Sequence, residues 1–189
     1  FSRSRGLGDV YKRQAVDPVE GTNFVAKNLP GAMSVIAISE KGNLFNSPET
    51  YMQKIATGNH IPKNTVDLDY SVEQNIKNYS EETSKKPNEI TVCILDRPRH
   101  KNIIKELKRL NVKIKYISDG DVSGALLVAD KKFDVDIFMG IGGGPEGVIA
   151  AAALDKLDCK FQGRFLFNSR EDANRAKKMG IMDLDKKYD

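Results

Sequence analysis

Two cysteines and two histidines are all that 189 residues offer for thiol or imidazole chemistry. Cys93 sits inside a strand-forming run, which reads as a buried free thiol in a reducing cytoplasm rather than half of a disulfide with Cys159. His60 and His100 are too few and too isolated to suggest a zinc site. No apolar run approaches a membrane span, and no secretory signal pattern is present. Net charge is also scarce: of the formal +4, most belongs to residues 1–14, where Arg3, Arg5, Lys12 and Arg13 face only Asp9. The rest is nearly neutral and lacks the basic footprint of a nucleic-acid binder. Neither nucleic acid nor membrane is therefore an expected partner. What remains is a chain of about one domain, 40% hydrophobic and able to bury a substantial core.

The richest stretch is residues 15–22, Ala-Val-Asp-Pro-Val-Glu-Gly-Thr. Pro18 fixes its own φ and pushes Asp17 out of the helical region, so the chain extends and then turns sharply through Glu20 and Gly21. Such a turn can aim two carboxylates, a carbonyl and the Thr22 hydroxyl at one spot, company that suits Mg²⁺ or Mn²⁺. The same residues also make an ordinary acidic surface turn.

Downstream, residues 34–39 read as a buried strand, and 41–46 as the turn and short hairpin partner that follow it. Residues 48–69 read as an irregular surface connection. Ser71 is placed to cap a helix through about Ser84, with Val72, Ile76 and Tyr79 on one face. From Ile90 the pattern alternates: strands over 90–95, 112–117, 135–141 and 163–167, helices over 101–110, 122–129, 146–157 and 170–179. Such alternation predicts crossover connections, a largely parallel sheet and an α/β class. A boundary is expected near residues 85–89, dividing an α+β portion (15–86) from an α/β portion (87–189).

Ligands of such sheets gather beyond the carboxyl ends of the strands. Arg97 and Arg99, flanking Pro98, can grip a phosphate or simply be solvated. Asp119 and Asp121, flanking Gly120, can bind metal, accept from sugar hydroxyls or cap the next helix, and capping by Asp121 is expected in any case. Gly142, Gly144 and Gly147 fit a GxGxxG dinucleotide pattern, which makes a non-catalytic nucleotide-binding domain a rival reading. Against it, no acid stands at the end of the next strand, and Glu146 puts negative charge where a pyrophosphate would sit.

The octet resembles the signature of metal-dependent, lithium-sensitive sugar phosphatases, and its Glu20 variant resembles that of class II fructose-1,6-bisphosphatase of the GlpX type. Tyr51-Met52, Arg97-Pro98-Arg99-His100, Asp119-Gly120-Asp121 and Gly140–Gly147 agree in order, so the resemblance runs from about Ala15 to the end. It implies the layered fold of the fructose-bisphosphatase and inositol-monophosphatase group. It implies hydrolysis of the 1-phosphate of fructose 1,6-bisphosphate, in gluconeogenesis or sugar-phosphate recycling, with Mn²⁺ or Mg²⁺ as cofactor and a homo-oligomer at full length. By resemblance Asp17, Glu20 and Glu146 hold metal and Thr22 orients the attacking water. Glu20, Gly21, Thr22, Tyr51, Arg97, Pro98, Arg99, Asp119, Gly120, Asp121 and Gly143 contact substrate. Sedoheptulose 1,7-bisphosphate and inositol phosphates are the alternative substrates. The family also has acidic ligands upstream of the turn, in a Gly-Glu-Gly-Glu type segment that residues 1–14 do not supply. Those residues resemble a translated adaptor rather than the family, so they are expected to be foreign or disordered, and the chain alone nearly inactive.

Overall fold

The computed structural model describes residues 12–189, with side chains from Gln14 onward. Only residues 12–14 of the expected foreign tail therefore fall within it, and they pair as the start of the first strand. That strand, β1 (Lys12–Glu20), runs antiparallel to β2 (Met33–Glu40) in a two-stranded sheet, joined by the short helix α1 (Thr22–Ala26). The partner of β2 is thus the strand before it, not residues 41–46, which form turns and irregular chain. Nor is β2 buried throughout. Val35 packs with Ala15 onto the main body, while Ile36 and Ile38 on the alternate face are more than half exposed.

The main body is a six-stranded sheet. Its strands are β3 (Tyr51–Thr57), β4 (Thr91–Leu95), β5 (Lys113–Ile117), β6 (Ile137–Gly143), β7 (Lys160–Leu166) and β8 (Lys187–Tyr188), in the order β5-β4-β6-β3-β7-β8. The α/β class holds, with a mixed sheet. β4 pairs in parallel with β5 and β6, but β3 enters antiparallel between β6 and β7. The stretch read as a surface connection therefore contains the strand that joins the two halves of the sheet. The sheet consequently crosses the division expected near residues 85–89.

Helices cover both faces. α2 (Val72–Thr83) and α3 (Lys101–Arg109) lie on one side, where Ile76, Tyr79 and Leu107 pack with Ile55, Val92 and Ile137. α4 (Asp121–Leu126) and α5 (Gly144–Lys156) lie on the other, where Val122, Ile149 and Leu154 pack with Ala56, Cys93 and Phe138. Alternate residues of each strand feed alternate faces, and each large apolar side chain so buried contributes about 1.5–3 kcal/mol. Ser71 caps α2 as expected, its hydroxyl accepting the Gln74 amide at 3.1 Å. α6 (Arg170–Lys178) closes the far end through Ala176, against Phe165 and Met52. Both cysteines are buried free thiols, and burial pushes Cys93 up to about 12. Among the described residues no helix is long and apolar enough to cross a membrane.

Candidate active site

Strand direction brings the predicted loops together. β4, β5 and β6 are parallel, so the segments after Leu95, Ile117 and Gly143 emerge at one end of the sheet. β3 is antiparallel to β6, with Tyr51 opposite Gly143, so its first residue arrives at that same end. β1 adds the acidic turn from the second sheet. Its register breaks between Asp17 and Glu20, as expected of a proline that cannot complete the ladder. Gly21, at φ 82°, then takes the left-handed conformation that begins α1. These segments enclose a cavity of about 740 Å³. Asp17, Glu20, Gly21, Thr22, Tyr51, Arg97, Arg99, Asp119, Gly120, Asp121, Gly143 and Glu146 all line it. Pro98 is not among the lining residues; it begins the 3-10 turn that carries Arg99.

The acids do not all act as the sequence suggested. Asp121 does not cap α4, because it is the helix's first residue and its carboxylate turns inward to the Lys54 ammonium. Glu20 takes the capping role from 102 positions away, accepting the Val122 amide at 2.6 Å. Glu20 is only 4% exposed. Burial, a hydrogen bond with Asp17, and the charges of Asp17 and Asp121 together push its carboxyl up to about 8, although the Val122 amide pulls the other way. Asp119 accepts the Asn23 amide at 2.9 Å and pairs with Arg97 at 3.1 Å. That links the turn of α1 to both the arginine loop and the Asp119–Asp121 loop.

The arginine loop is braced from below. Arg99 donates from Nε to the Ile141 carbonyl at 2.7 Å, and its guanidinium lies 5.0 Å from the centre of the Tyr51 ring. His100, fully buried, bonds through Nδ1 to the Leu95 carbonyl and accepts the Ile141 amide at Nε2, both at 2.7 Å. Burial lowers its pKa, which suits this neutral, two-sided strut.

The glycine turn answers the dinucleotide question. A Cβ on Gly142 would overlap the Asp121 carboxylate, and one on Gly143 would overlap that of Glu146. These glycines make room for acids, and Glu146 folds back over the turn where a pyrophosphate would have to lie. The donor set fits a hard cation in kind, since every donor is oxygen and the buried Glu20 carboxyl, raised by burial and by its neighbour Asp17, lacks the positive partner that a cation would supply. It does not form the expected triad. Among the described residues no three His, Cys, Asp or Glu side chains gather at metal-binding spacing. Asp17 and Glu20 are neighbours, while Glu146 lines the same cavity with its carboxylate turned onto Gly143.

Lys54, whose ammonium meets Asp121 and Gly143 of this cavity, is not evident in the sequence pattern. Its signal was weak: an uninterrupted run between Pro48 and Gly58 whose apolar residues, Met52, Ile55 and Ala56, follow no clean alternation.

A mixed sheet with helices on both faces, and a strand-end cavity uniting an acidic turn with an arginine loop, define an α/β protein with a candidate site at the carboxyl ends of its parallel strands. The chain belongs to the family of glpX-encoded bacterial fructose-1,6-bisphosphatases, whose sequence model matches residues 6–189. It is 44% identical over 186 residues to the D-fructose 1,6-bisphosphatase class 2/sedoheptulose 1,7-bisphosphatase of Trichodesmium erythraeum, covering 92% of this chain and 54% of that protein. Proteins of the same name from Synechococcus elongatus and Microcystis aeruginosa are 42% and 41% identical, covering 93% and 92% of this chain and 54% of each relative. The chain thus spans about half the length of the curated relatives it matches.

Proposed function

We infer that this chain carries most of the substrate cavity of a sugar-bisphosphate phosphatase. The reaction is hydrolysis of the 1-phosphate of fructose 1,6-bisphosphate. A water oxygen bonds to phosphorus, the bond from phosphorus to the sugar oxygen breaks, and that oxygen takes a proton, leaving fructose 6-phosphate and phosphate. The observation that carries this reading is the single cavity shared by the acidic turn, the arginine loop, the Asp119–Asp121 loop and the glycine turn.

Arg97 and Arg99 offer several guanidinium donors to a phosphate, and the ring of Tyr51 steadies Arg99. Arg97 exchanges its carboxylate partner, Asp119, for the phosphate, which frees Asp119 to accept from a sugar hydroxyl. The Thr22 hydroxyl, at the mouth of the acidic turn, holds the attacking water in line. Asp17 and Glu20 would hold a divalent ion, Mn²⁺ or Mg²⁺, in the cavity that Glu146 lines from α5. Such an ion, when bound, would supply water activation and offset phosphoryl charge. Positioning and electrostatics then account for most of the acceleration.

The relatives' printed name favours sedoheptulose 1,7-bisphosphate as a second substrate. The test is phosphate release from both bisphosphates, with Mn²⁺, by a polypeptide of the relatives' length that carries this chain. Asp17→Asn is expected to lower kcat at least a hundredfold, Arg99→Ala to raise KM at least tenfold, and the 189 residues alone to be nearly inactive. Release indifferent to Asp17→Asn, or tight NAD or AMP binding without a divalent ion, would overturn the reading.

A further inference from the structure

Lys54 lies at the middle of β3 with 1% of its surface exposed, an unusual place for an ammonium. A buried charge is tolerated only when paired and hydrogen-bonded, and Lys54 is both. Its Nζ pairs with the Asp121 carboxylate and donates to the Gly143 carbonyl at 2.7 Å. Those partners belong to different loops, one following β5 and the other ending β6, and both line the cavity. The path of the side chain is also provided for. A Cβ on Gly147 would crowd Lys54 Cε at 2.9 Å and would overlap the Met52 sulfur. Glycine inside a helix costs about 1 kcal/mol relative to alanine. Here the cost goes with a passage for the lysine stem beneath α5.

We propose that Lys54 is a positioning residue of this cavity, its ammonium fastening the Asp121 carboxylate and the Gly143 carbonyl so that the two loops open on substrate as one unit. Through Asp121 the clamp reaches the first turn of α4, whose Val122 amide meets Glu20. Through Gly143 it reaches the amide of Gly144, which donates to the Thr50 carbonyl at 2.7 Å beside Tyr51. One cation at the centre of the sheet thereby sets the relative placement of acidic turn, sugar loop and glycine turn. Removing it would also leave Asp121 without its cation, close enough to Glu20 for their charges to interact.

The inference rests on the proposed reading only in taking this cavity as the substrate site. Its test therefore needs no ligand, and absence of turnover would remove that reading without touching this one. Amide hydrogen exchange is measured on the 189-residue chain, its Lys54→Met variant and the Lys54→Met/Asp121→Asn double variant. Lys187→Met, which removes the cation 2.6 Å from Asp67 at another edge of the sheet, serves as a control for general loss of stability. In Lys54→Met the Val122 and Gly144 amides are expected to exchange at least tenfold faster, with Ile76 and Tyr79 of α2 unchanged. In the double variant the melting temperature is expected to recover while exchange at Val122 and Gly144 stays fast, because nothing replaces the tie to Gly143. Should Lys54→Met alone not fold, the charge-balanced double variant carries the comparison. Parent-like exchange at Val122 and Gly144, a rise matched by α2 or reproduced by Lys187→Met, or full recovery in the double variant would each reduce Lys54 to a structural ion pair and overturn the proposal.

Discussion

Glu20 concentrates the chemistry of the cavity in one side chain. It is buried, sits against Asp17 and caps α4, and its carboxyl is pushed from an ordinary 4.5 up to about 8. Because the folded value lies above the unfolded one, the native state holds the extra proton between those limits. The stabilisation from this group is therefore complete below about pH 4.5 and lost as pH rises to about 8. Glu20→Gln keeps an oxygen for the Val122 amide and abolishes the titration. With a chelator present, variant and parent are expected to melt together at pH 4.5. At pH 8.5 the variant should melt several degrees higher, since a chain of this size moves by about 2–4 °C per kcal/mol. Parallel melting curves across that range would mean that Glu20 is not held against its charge. The sequence made Glu20 visible as an acid in a turn. Its second duty was not legible, because a helix cap supplied from 102 positions away leaves no local pattern, and Asp121 stood in the expected place.

Among the elements, the legible ones were those with a regular period. The sequence displays α2 through Ser71 and the Ile76–Tyr79 face, and β4 through its β-branched run. β3 was not legible. It carries a lysine at a fully buried position, and central strands are recognised by the apolar run that Lys54 interrupts. β1 was missed for another reason: Pro18 argues against a strand, and the structure accommodates it at the break in register. The location of β3 yields a prediction that its composition would not. Ala56 lies opposite Phe138 on one side and Phe161 on the other. Ala56→Pro removes an amide from a doubly paired central strand and leaves a buried carbonyl without its donor, at a cost of about 1–3 kcal/mol. The urea midpoint of the variant is expected to fall sharply, or the cooperative transition to vanish. A midpoint equal to the parent's would return residues 51–57 to the surface.

At the scale of the molecule, two sheets meet at one cavity, and what joins them there is mostly acid. The Asn23 amide on Asp119 and the Val122 amide on Glu20 tie the small sheet to the strand ends. Neither tie neutralises the charge that Glu20 would carry, and its carboxyl, pushed up chiefly by burial and then by Asp17, resists ionisation. A divalent ion at this junction would bind the native arrangement and not the unfolded chain, since the turn and the loops beside it are distant in sequence. Such binding stabilises by about 2.7 kcal/mol when the free ion stands at a hundred times its Kd. Mn²⁺ added at pH 8 is therefore expected to raise the melting temperature by roughly 5–10 °C, and Asp17→Asn to abolish most of that rise. The acidic cluster of Asp67 and Asp69 is already neutralised by Lys187 and Arg164, so it supplies little competing response. An equal rise in the Asp17→Asn variant would move the ion elsewhere and take the acidic turn out of the chemistry.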